Sequence, residues 1–221
     1  MNIRSILITL LFTSLLFGRD RIALATKVIG DVQYVRGNES SIALKKGYII
    51  ESGDVIKTEK GGFVSFIFID DKTALKVKEN SVLTISGKRS AQAIAKEINL
   101  NGGTIRAQVS RQRKGDFIVR TSVSVASVKG TDFWLISNDA GDSLIVLEEV
   151  VGFSNLISGE SLDVRTGISG ISTSDGSIQS FKTDPKNIPV DPTDQDGGAQ
   201  KLEIEFKDAS GKKKTLIIEY N

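Results

Sequence analysis

From Thr26 onward, apolar and polar residues alternate almost without interruption, in short segments bounded by Gly, Asp, Asn or Ser. A period of two is the mark of a strand with one buried face, and no stretch of this part holds a 3.6-residue period over three turns. Val28, Val32 and Val35 open the pattern, with a kink at Gly30 and Asp31; Leu44, Ile49 and Ile50 lead to a turn at Ser52, Gly53 and Asp54. After Gly61 and Gly62, the run FVSFIFI (63–69) is apolar on both faces and closes at Asp70 and Asp71. It is too short and too aromatic for a helix, and predicts a central strand buried on both sides. Leu75 and Val77 alternate with Lys76 and Lys78, Asn80 and Ser81 turn the chain, and Leu83 and Ile85 continue one face.

Ile94, Ile98 and Leu100 predict a strand near 93–101, with Lys96 interrupting its inner face and Asn101, Gly102 and Gly103 as a turn. Residues 117–125 alternate again and slip by one near Ala126 and Ser127, a slip that a β-bulge would explain. Later apolar sets are 144–147, Val150 with Val151, Leu162 with Val164, and Ile178 with Phe181. The expectation is an all-β domain over 26–182. Strand spacing of about 8–12 residues fits a sandwich, a barrel or a β-solenoid. No strict repeat selects the solenoid.

Residues 183–200 change character and hold all three prolines (Pro185, Pro189, Pro192) with several Asp and Gly. That composition predicts an extended, solvated linker. In 201–221, Leu202, Ile204 and Phe206 are answered by Leu216, Ile218 and Tyr220 across a Lys-rich tip. This predicts a β-hairpin with one apolar face. A lone hairpin is marginal in water, so that face should meet the main domain or another molecule.

The first 25 residues carry a different signal. Arg4 precedes an apolar stretch over 6–17, and Ala23-Leu24-Ala25 offers a small-x-small motif. Together they predict a signal peptide, cut before Thr26, and a periplasmic or extracellular protein. Arg19, Asp20 and Arg21 crowd the cut site, so an uncleaved signal anchor is the alternative and the one predicted membrane contact. Removing Arg4, Arg19, Arg21 and Asp20 from 29 basic and 27 acidic residues leaves 26 of each. A neutral exported chain has no electrostatic reason to bind nucleic acid.

The chain has neither Cys nor His. Disulfides are excluded, and so are the commonest general base and the commonest transition-metal ligand. The expectation is a protein without catalytic residues or cofactors.

GDVQYVRG (30–37), GDVIKT (53–58), GFVSFIFIDDKTALKVKENSVLTI (62–85) and FIVRTSVSVASVKGTDF (117–133) together resemble the FecR domain, with VKGTDF as the most characteristic piece. The resemblance covers about 28–136. It implies a β-solenoid or β-helix-like domain on the far side of the inner membrane, with a β-sandwich as the alternative fold. The best-known members carry a cytoplasmic segment that controls a sigma factor, and an extracytoplasmic part that reads an outer-membrane transporter. Here only residues 1–4 precede the apolar segment, so neither anti-sigma control nor iron sensing is expected to transfer. The resemblance implies a stand-alone protein-binding or scaffold module of the envelope, with a glycan- or wall-binding module as the alternative.

Several residues invite a sharper reading, and each has a plainer one. Gly53 with Asp54, Asn80 with Ser81, and Gly130 with Thr131 suit turn chemistry better than ligand contact. Arg106, Arg111, Arg113 and Lys114, like 212–214, read as solvated turns rather than anion sites. Asp191, Asp194, Asp196, Gly197 and Glu203 approach a calcium-loop spacing, but Pro192 stands where the first acidic ligand belongs. Asp70 with Asp71 and Glu148 with Glu149 are adjacent carboxylates, which a strand sends to opposite faces. Trp134, the only Trp, suits core packing better than sugar stacking. The partner-binding surface expected from sequence is the apolar face Leu202, Ile204, Phe206, Leu216, Ile218 and Tyr220.

Overall fold

The computed structural model describes residues 19–90, 93–112, 116–193, 200–207 and 213–220. The fold is all-β, as the alternation requires. Among the described residues, one mixed sheet of 17 strands accounts for the main body, and two further strands form a sheet of their own.

The large sheet is folded over on itself. In one layer lie β1 (Arg21–Ile29), β4 (Ile49–Glu51), β6 (Phe63–Phe68), β7 (Ala74–Val77), β12 (Thr131–Asn138), β13 (Gly141–Val146), β16 (Ile168–Ser172) and β17 (Ile178–Lys182). In the other lie β2 (Val32–Val35), β3 (Ile42–Ala43), β5 (Asp54–Thr58), β8 (Ser81–Arg89), β10 (Phe117–Arg120), β11 (Ser124–Val128), β14 (Val150–Asn155) and β15 (Ser161–Arg165). The long β9 (Ile94–Val109) belongs to both: its first half pairs with β8 and β10, its second with β7 and β12. Hairpins β6–β7, β10–β11, β12–β13, β14–β15 and β16–β17 switch from layer to layer, so the chain advances along one axis as a solenoid does. It does so with antiparallel pairs, β9–β10 being the parallel exception.

β9 corrects one expectation. Asn101, Gly102 and Gly103 do not turn the chain back; the strand runs through them and changes layer. Gly103 has φ 113°, and a Cβ there would stand 2.2 Å from Ser81 Oγ, so the crossing requires glycine. The slip near Ala126 is also no bulge. Residues 121–123 turn the chain between β10 and β11, whose register is regular from Phe117 opposite Val128 to Arg120 opposite Val125.

The core lies between the layers. Val64, Phe66, Phe68, Leu75, Val77, Ile105 and Leu135 face Ile56, Leu83, Ile85, Ile98, Phe117 and Phe153. The Phe68 and Phe117 rings meet edge to face with centroids 6.0 Å apart, joining the two layers directly. All six residues of β6 are buried, as its doubly apolar pattern predicts.

The N-terminal boundary differs from that at Thr26. β1 starts at Arg21; Ile22, Ala23 and Ala25 are in the core, and Ala23, Leu24 and Ala25 pair with Phe68, Ile67 and Phe66. The bond after Ala25 therefore lies inside a paired strand. Residues 1–18, with the apolar stretch of the predicted signal, lie outside the described residues. Among the described residues no helix is long and apolar enough to cross a membrane.

β18 (Gln200–Lys207) and β19 (Lys213–Tyr220) form the C-terminal hairpin. Their register sets Leu202 opposite Ile218 and Ile204 opposite Leu216.

Candidate functional site

Inward-facing positions of β7, β9 and β12 supply Leu75, Ile105 and Phe133 to the core, so by alternation Lys76, Arg106 and Trp134 stand on the outside. Strand register aligns them in one transverse row: Ser65, Lys76, Arg106, Trp134, Ile145, Ser169 and Phe181, each opposite the next. An outer row should be wet, yet Trp134 is 1 % exposed and Ile145 2 %. Neither belongs to the internal core.

The segment after β17 lies over this row. Thr183 donates its N–H to the Gly167 carbonyl (2.9 Å) and shares a hydroxyl contact with Ser169 (2.9 Å). Pro185–Asn187 forms a short 3₁₀ turn, capped by Asp184. At the far end Asp191 is buried. Its Oδ2 accepts from Lys76 Nζ at 2.6 Å and from Arg106 Nη1 at 3.1 Å, while Oδ1 accepts from the Thr193 N–H and hydroxyl. Lys78 Nζ donates to the Val190 carbonyl at 3.0 Å. Four inter-strand spacings separate Ser169 from Lys76, about 19 Å, which an extended strap of this length reaches.

The first half of the expected linker is thus docked. Its prolines limit the freedom lost on docking. Arg106, expected in a solvated turn, is instead a half-buried anchor within β9: its Nε and Nη2 hold both oxygens of Asp132 at 2.9 and 2.8 Å. Lys78 and Arg106 sit 5.9 and 5.7 Å from the Trp134 ring, completing a cation–aromatic groove beneath the strap. Burial alone would raise the Asp191 carboxyl; the hydrogen bonds from Lys76 and Thr193 outweigh it and hold the group below its usual range.

Lys96 answers the puzzle of a lysine on an inner face. It is buried and donates to Asp70 at 2.9 Å and to Asp71 at 2.8 Å, with the Phe68 ring 5.4 Å away. Burial would raise Asp71; Lys96, the Thr73 N–H and Gln112 reverse this and lower it. Asp70 and Asp71 thus converge on one lysine from a turn, where a strand would have sent them to opposite faces. Asp54 is likewise more than a turn residue: fully buried, it accepts two bonds from Arg36 (2.9 and 2.7 Å) and one from the Glu51 N–H. Asn80, at φ 56°, is a turn residue as expected.

The VKGTDF segment borders a cleft of about 890 Å³, where Arg111 and Lys129 mingle with Asp116, Glu148, Glu149 and Asp163. Lys72 and Asp132 also line it, so both signs are interleaved with carboxylates in excess. Thr131 donates its hydroxyl to the Glu148 carbonyl, tying the segment to the next turn. Among the described residues no group of three or more His, Cys, Asp or Glu is placed to hold a metal. Of the calcium-loop residues, Asp191 is engaged with Lys76 and Arg106; Asp194, Asp196 and Gly197 lie outside the described residues, as does the side chain of Glu203. Arg113, Lys114 and Lys212 lie outside them too, and so does the covering of the hairpin's predicted apolar face.

The model of the family described as FecR protein matches residues 54–152, from β5 into β14. The chain contains a FecR domain. Two crystal structures of a "putative anti-sigma factor" from Parabacteroides distasonis, at 2.50 and 1.65 Å, share the fold at 17 % identity and a TM-score of 0.50. The likeness covers 60 % of this chain and 61 % of the first of them, and 71 % and 70 % for the second. The chain thus spans somewhat under two thirds of the first. No curated protein matches it. The FecR match includes the groove strands β7, β9 and β12 and stops before the strap.

Proposed function

We propose that this chain is an exported, non-enzymatic FecR-domain protein that binds another protein of the cell envelope through its C-terminal hairpin. The observation that carries this reading is that β18 and β19 pair with each other in a sheet separate from the 17 strands of the main body. Their register sets Leu202 opposite Ile218 and Ile204 opposite Leu216, and period-two alternation adds Phe206 and Tyr220 to that face. A two-stranded sheet with one apolar face gains its stability from whatever covers it. Export is inferred from the N-terminal apolar segment. The non-enzymatic reading is supported by the lack of His and Cys and by the binding of Asp70 and Asp71 to Lys96. An accessory role in envelope signalling is consistent with a fold shared with structures described as anti-sigma factors. The glycan-binding alternative draws no support from Trp134, which is buried and offers no stacking face.

The test is in-cell crosslinking of the tagged full chain, followed by identification of the captured envelope protein. One stoichiometric partner, lost when 201–221 are deleted, is the expected result. Capture that survives the deletion overturns the hairpin as the docking element.

A further inference from the structure

Among the described residues, the strap is held most firmly at its two ends, by Thr183 beside Ser169 and by Asp191 between Lys76 and Arg106. Between these ends, residues 184–187 are exposed, and Val190 is exposed although its carbonyl is bound by Lys78. What it covers is a built surface: two cations on adjacent strands, a third at Lys78, and the Trp134 ring between Lys78 and Arg106. Trp134 and Ile145 are not members of the internal core, so uncovering them leaves the space between the layers closed. The groove strands belong to the matched FecR domain, whereas the strap does not.

We propose that residues 184–193 are a releasable strap, and that the groove beneath them is a docking site for an extended acidic segment of a partner protein that displaces Asp191. The strap itself displays the chemistry of the ligand. One carboxylate lies between Lys76 and Arg106, a backbone carbonyl one residue earlier reaches Lys78, and flanking prolines keep the segment extended. Charge-assisted bonds on a largely dry surface favour a carboxylate over a neutral side chain. Because the strap is tethered, it competes at an effective concentration of roughly millimolar order. A partner must outbid that, so the groove is closed to weak acidic peptides and opens to a tight or multivalent one. This site does not depend on the hairpin, and deleting 201–221 leaves every contact named here in place.

The experiment uses the full chain and a labelled peptide of residues 183–193, TDPKNIPVDPT, with Trp134, the only tryptophan, read by selective excitation. Asp191→Asn is expected to make Trp134 accessible to acrylamide and to raise peptide affinity at least about tenfold over the unaltered chain, as the tethered competitor weakens. A peptide with Asn in place of its second Asp should not bind, and adding Lys76→Met to Asp191→Asn should abolish binding. If Asp191→Asn does not fold, the variant Pro189→Gly with Pro192→Gly, which loosens the strap and leaves the groove intact, is read the same way. Trp134 staying shielded in the folded variant overturns the strap. Trp134 exposed without peptide binding overturns the docking site.

Discussion

Lys96 and Lys76 are both buried in sheets and both ion-paired, yet they differ in where their acid comes from. Lys96, on the half of β9 that pairs with β8 and β10, takes Asp70 and Asp71 from the β6–β7 turn of the opposite layer. Lys76 takes Asp191 from a strap 115 residues further along the chain. A lysine whose counter-ion sits in a tight turn keeps it as long as the sheet exists. One whose counter-ion sits on a tail can lose it while the sheet remains. The comparison separates a permanent ion pair from a removable one in the same fold.

The largest effect should come from Lys96. Lys96→Met leaves two carboxylates without their cation at the edge of the core, and should lower the free energy of unfolding by about 3 kcal/mol in urea titrations. Asp191→Asn should cost less, about 2 kcal/mol, and should show mainly as accessibility of Trp134 with the urea transition otherwise cooperative. Equal losses for the two variants would erase the distinction.

A double-mutant cycle of Lys76→Met and Asp191→Asn sharpens it further. A coupling of about 1–3 kcal/mol is expected, and a coupling near zero would mean that the strap is held by its prolines and not by the pair.

The smallest effect is the acid response. Asp191 and Asp71 are both held below the usual carboxyl range. A lowered folded-state value contributes stability that is present above the unfolded value of about 3.9 and is lost as pH falls through the folded one. Trp134 quenching should therefore rise below about pH 4 in the unaltered chain. In Asp191→Asn it should already be high and change little with pH.

The inner half of this structure was legible because it is written locally. Phe66, Phe68, Leu75 and Val77 recur at every second position, and that alone sends them to one face. The turn at Asn80 and the double burial of β6 were readable for the same reason. Lys96 was visible as an interruption, but its partners were not, because Asp70 and Asp71 looked like a strand terminus. The crossing at Gly103 was misread since two glycines signal a turn and a layer change equally well. The outer row was missed altogether. Alternation correctly put Lys76 on the outside, and outside ordinarily means solvated.

Alternation by itself determined an all-β chain, the identity of the inner-face residues, and a C-terminal hairpin with Leu202 near Ile218. Those follow from the two-residue period of an extended backbone, which needs only neighbours. Tertiary structure alone decided that β9 serves both layers, that Ala23 and Ala25 lie inside a core strand, and that Asp191 reaches Lys76 and Arg106. Each depends on segments far apart in the chain meeting in space. Burying a charge is tolerable only once its partner has arrived, and nothing in local pattern says which of 26 acidic residues beyond Ala25 that partner will be.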